Sequence, residues 1–162
     1  MKRAIVEGRP FSQELAAIEN LSGSKLPVSQ LAPYKDQGVL SLTELQREFS
    51  DASTKAIQAY YRGKGNSIMG EVISRAKAAI QVKPAGSKGD TPEAVLGRME
   101  TALKAGNLRE ALTEGAALEG PAQEEMQAWL GKAQERAVAD EALKKTDQEL
   151  LASLTKAQSR RP

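Results

Sequence analysis

The sequence predicts an all-α protein, a small helical bundle with amphipathic helices and a long C-terminal helix. Three observations carry that prediction. Apolar residues recur at helical spacing in segment after segment, and no strand-like alternation rises above noise. Caps and breakers punctuate the segments: Ser41-Leu42-Thr43-Glu44 is a capping box, and Thr91-Pro92-Glu93 and Gly120-Pro121 are helix starts. Aromatics are only 4% of 162 residues, so Ala and Leu must fill most of a core built by close helix packing.

In chain order, Lys2 to Glu7 reads as the end of a helix, interrupted by Gly8. Pro10 opens a helix to about Leu21, with Phe11, Leu15, Ile18 and Leu21 on one face. Ser22-Gly23-Ser24 breaks it. A short helix over 28–31 follows, bounded by Pro33, and 34–37 can add one turn before Gly38. From the capping box a helix runs to about Arg62. Leu45, Phe49, Ala52, Ala56, Ala59 and Tyr60 share one face; Arg47, Asp51, Lys55, Gln58 and Arg62 share the other. Its Arg47–Asp51 and Asp51–Lys55 pairs are worth only ~0.3–0.5 kcal/mol each.

The next helix, 67–83, has the most distinctive pattern. Ile68, Met69, Val72, Ile73, Ala76, Ala79 and Ile80 fall on an arc about 140° wide, with Arg75 and Lys77 at its edges. Long cationic stems beside an apolar face suit a membrane interface; the same pattern also suits a core helix with solvated edges. Pro84 to Gly89 is a linker. The helix capped by Thr91 presents Val95, Met99 and Leu103 and ends at Gly106. Asn107 caps another, with Leu108, Ala111, Leu112 and Ala116 inward. The last helix, from Gly120 to about Lys156, changes face near Val138. Met126, Leu130, Ala133 and Ala137 form one stripe; Ala139, Leu143, Thr146, Leu150 and Leu154 form a second. Its first half is expected in the bundle core. Its second half is expected to cover another surface, in the same chain or in a partner.

Composition removes several chemistries. With no His and no Cys there is no imidazole base, thiolate nucleophile, His or Cys metal ligand, or disulfide. Glu44/Glu48, Glu110/Glu114 and Glu124/Glu125 read as solvated carboxylates. The loops 63–67 and 86–91 lack phosphate-loop spacing. No enzyme, metal or cofactor is expected. Net charge is only +2, and Tyr60-Tyr61 lacks a basic groove, so nucleic acid is not expected. Residues 1–83 hold 12 basic and 8 acidic side chains, and 84–162 hold 11 and 13. No run of apolar residues is long enough to cross a membrane, and the first residues do not form a signal peptide. The helix pair around Ala105-Gly106-Asn107 looks like a tetratricopeptide hairpin, but no repeat follows it.

Four stretches together resemble the mitofilin family in its bacterial form. They are Gly8-Arg9-Pro10-Phe11 with Glu14-Leu15, and Gly38-Val39-Leu40-Ser41-Leu42 with Leu45 and Phe49. Then come Gly89-Asp90-Thr91-Pro92-Glu93-Ala94-Val95-Leu96 on to Ala111-Leu112, and Trp129 with Ala133, Arg136, Ala139 and Ala142-Leu143. The resemblance implies the C-terminal region of a longer inner-membrane protein, facing the periplasm in bacteria and anchored by a segment outside this chain. It implies four parts: 1–40, a helical segment following a coiled coil; 41–83, an amphipathic lipid-binding helix pair; 84–91, a linker; and 92–162, a C-terminal bundle that self-associates and binds partners.

The expected function is therefore a membrane-shaping scaffold on an anionic surface. The expected lipid-binding residues are Arg47, Phe49, Lys55, Tyr60, Tyr61, Arg62, Lys64, Ile68, Met69, Val72, Ile73, Arg75, Lys77 and Ile80. Trp129, Leu143, Leu150 and Leu154 are expected to serve a homo-oligomer, dimer or higher, or a partner. That partner is a small helical or outer-membrane assembly protein. The alternative is a helical protein–protein module without lipid contact.

Overall fold

The computed structural model describes residues 1–22, 28–62 and 89–158, and every regular element among them is helical. The elements are α1 (Lys2–Val6), α2 (Ser12–Ser22), a 3-10 helix (Ser29–Tyr34), α3 (Leu42–Arg62), α4 (Pro92–Lys104), α5 (Leu108–Gly115) and α6 (Gly120–Gln158). The expected helix over 67–83 lies outside the described residues. The chain divides into two compact units: Met1–Ser41 with Glu135–Pro162, and Leu42–Gln134. α6 therefore supplies both, and the sequence stretch 92–162 is shared between them.

In the first unit, Ala4, Ile5, Phe11, Leu15, Val28, Leu31 and Val39 pack with Ala139, Ala142 and Leu143 of α6. The Phe11 N–H donates to the Lys35 carbonyl at 2.8 Å. That bond commits Phe11 to the 3-10 turn, so α2 starts at Ser12 rather than at Pro10. Pro33 lies inside the 3-10 helix instead of bounding it; a short tight turn has few N–H bonds to lose. At the end of α1, Arg3 and Arg9 bond Glu7 from both sides of the Gly8 turn and hold its carboxyl below the usual range.

Two features lock this unit. Gly38 has φ +77°, and a Cβ there would lie 2.7 Å from the Gly8 carbonyl oxygen. Both the backbone conformation and the space demand glycine. Arg136 of α6 is 6% exposed. Its Nη1 donates to the carbonyls of Ile5 (3.3 Å), Val6 (3.5 Å) and Leu40 (3.2 Å), and its Nε to Asp140 at 2.9 Å. At the end of α1 the Ile5 carbonyl, which also accepts from the Gly8 N–H at 3.2 Å, and the Val6 carbonyl thereby gain a charged donor.

In the second unit, Thr91 Oγ1 accepts from the Ala94 N–H and Asn107 Oδ1 from the Glu110 N–H, both at 3.4 Å, as expected of the two caps. Gly115 is buried at the end of α5. A Cβ there would meet Met99 and Leu130 at 2.9 Å, so the absent side chain permits close approach. Gly115, not Ala116, faces inward.

Arg136→Met is expected to lower stability by about 2–4 kcal/mol, because the carbonyls of Val6 and Leu40 lose their charged donor and that of Ile5 keeps only the Gly8 N–H. Gly38→Ala is expected to lower it by roughly 1–3 kcal/mol through strain and clash. Both are read as falls in the urea midpoint of the whole chain; an unchanged midpoint for Arg136→Met would refute the clamp.

Candidate functional site: an aromatic-pinned amphipathic helix

α3 folds where its pattern places it, and its apolar side is inside the second unit. Leu45, Phe49, Ala56 and Ile57 are buried. The rings of Phe49 and Trp129 meet edge to face, with centroids 5.1 Å apart and planes at 70°. Trp129 Nε1 donates to the Leu45 carbonyl at 2.9 Å. That bond ties α6 to the backbone of α3. Gln46 Nε2 reaches the Leu103 carbonyl at 2.7 Å, and Lys132 pairs with Glu48 at 2.8 Å.

This arrangement sorts the expected site residues. Phe49 and Trp129 are each 3% exposed, and both face the core of the second unit. The ring-to-ring contact and the indole bond satisfy them within the chain. Arg47, Lys55 and Arg62 are exposed on the opposite side of α3, while Tyr60 and Tyr61 are half-buried at its end. The two tyrosine rings contact edge to face at 5.1 Å. Leu143 is buried in the first unit and Leu150 is 45% exposed. Leu154 lies on α6, with its side chain outside the described set. Lys64, Ile68, Met69, Val72, Ile73, Arg75, Lys77 and Ile80 lie outside the described residues.

Sequence reasoning missed three features of this region. Ile57 is buried where Ala59 and Tyr60 were expected, although it follows Leu45 and Phe49 at multiples of four. Ser53 is buried because its hydroxyl donates to the Ser50 carbonyl at 3.0 Å, so the polar group needs no outside partner. The Lys132–Glu48 pair spans 84 positions, and no local signal announces it.

The residues on either side of 63–88 are tied together in this unit. Tyr61, at the end of α3, is hydrogen-bonded to Glu93 in the first turn of α4, and Arg98 donates to the Gly89 carbonyl at 2.9 Å. The Glu93 bond, followed by burial, pushes the Tyr61 phenol up to about 12. Of the chain's 23 basic and 21 acidic residues, 63–88 hold five basic and one acidic, which leaves 18 and 20 elsewhere. The positive excess thus lies wholly in the stretch between those two anchor points. None of the helices among the described residues is long and apolar enough to cross a membrane.

No protein-family model matches the chain. The MICOS complex subunit MIC60 of Coccidioides posadasii (strain C735) is 29% identical over 118 residues, covering 69% of this chain. The chain spans 18% of the length of that protein. No solved structure matches.

Two outcomes are expected here. Trp129→Phe keeps an aromatic ring but loses the bond to Leu45 and part of the buried indole volume, and is expected to cost about 2–4 kcal/mol in urea unfolding. Tyr61 contributes stability that is full below the ordinary tyrosine pKa of about 10 and is lost as pH rises from there toward 12. Comparing thermal unfolding of the native chain and Tyr61→Phe across that window checks this: their difference is expected to shrink as pH rises, and a constant difference would contradict the assignment.

Proposed function

We propose that this chain is a non-enzymatic membrane-organising module of mitofilin type, in which residues 63–88 meet an anionic membrane and the helical units carry them. The observation that carries the reading is the segregation of charge. A stretch with five basic residues and one acidic also holds the apolar arc of Ile68, Met69, Val72, Ile73 and Ile80, and it joins two points pinned to each other by Tyr61 and Glu93. The similarity to the MIC60 subunit over 118 residues supports it. Transfer of Ile68, Met69, Val72 and Ile73 into an interface supplies at most ~1.5–3 kcal/mol each. Each cation from Arg62, Lys64, Arg75, Lys77 and Lys83 adds ~1 kcal/mol on an anionic surface. Wedging of one leaflet and self-association of the modules then bend the bilayer.

The buried face of α3 narrows this proposal. Leu45, Phe49, Ala56 and Ile57 reach lipid only if the core opens. α3 therefore contributes Arg47, Lys55, Arg62, Tyr60 and Tyr61 at the periphery, and the inserting residues are those of 68–80. The inner membrane and its periplasmic side, with an anchor outside this chain, complete the proposal.

Flotation with anionic liposomes tests it. The native chain is expected to float; Ile68→Asp with Val72→Asp is expected to reduce binding at least tenfold. Replacing 63–88 by a short Gly-Ser link is expected to abolish flotation while circular dichroism and the urea midpoint stay close to native. Undiminished flotation of either variant would overturn the assignment and leave a protein–protein module.

A further inference from the structure

We draw no further inference here: the strongest candidate, the groove of the first unit between α1 and α6 lined by Val6, Leu143 and Leu151 with Lys2 and Asp147 paired at its rim, is an unpartnered apolar face, and nothing in the structure shows what covers it.

Discussion

The guanidinium of Arg136 leaves water to reach the carbonyls of Ile5, Val6 and Leu40, and much of the first unit is arranged to receive it. Burying a cation is tolerable only where donors and acceptors match. Here the acceptors come from the end of α1 and from the strand of chain that leads into α3. Asp140, one turn along α6, neutralises the charge. Gly38 completes the arrangement by letting the chain pass the Gly8 carbonyl at a distance no side chain allows. The termination of α1, the Gly8 turn and the course of 38–41 are three aspects of one polar junction inside an apolar unit.

Arg136 also sits where α6 changes its work. Before it, Ala122, Met126, Trp129 and Ala133 are buried at spacings of 4, 3 and 4. After it, Ala139, Ala142, Leu143 and Thr146 are buried in a different phase. A helix whose buried stripe changes phase cannot serve one core along its whole length. α6 serves two, and the boundary between the units falls at Glu135. Thr146 fits the second core because its hydroxyl donates to the Ala142 carbonyl at 2.8 Å.

What the sequence made legible follows from how local each signal is. The caps at Thr91 and Asn107 and the capping-box start of α3 depend on neighbours within three residues, and all three helices begin where expected. The phase change of α6 was visible because it is a property of one helix. Its meaning was not: the partner of 139–146 is the first forty residues, far away in sequence. The helical spacing puts Phe49 on the apolar face of α3, and the resemblance to the mitofilin family implies lipid contact for it. Only the tertiary contact with Trp129, 80 positions on, decides between core and membrane for an apolar face. The bond from Trp129 to Leu45 is invisible to periodicity for the same reason.

The apolar face of α3 is buried in the second unit, and the proposed function gives contact with lipid to the cationic stretch 63–88. Amide hydrogen exchange of the whole chain, with and without anionic vesicles, measures that division residue by residue. New protection confined to 63–88 and the neighbouring residues 58–62, with α4, α5 and the first half of α6 unchanged, is the expected result. Loss of protection around Leu45, Phe49 and Trp129 on vesicles, or no new protection in 63–88, would contradict it.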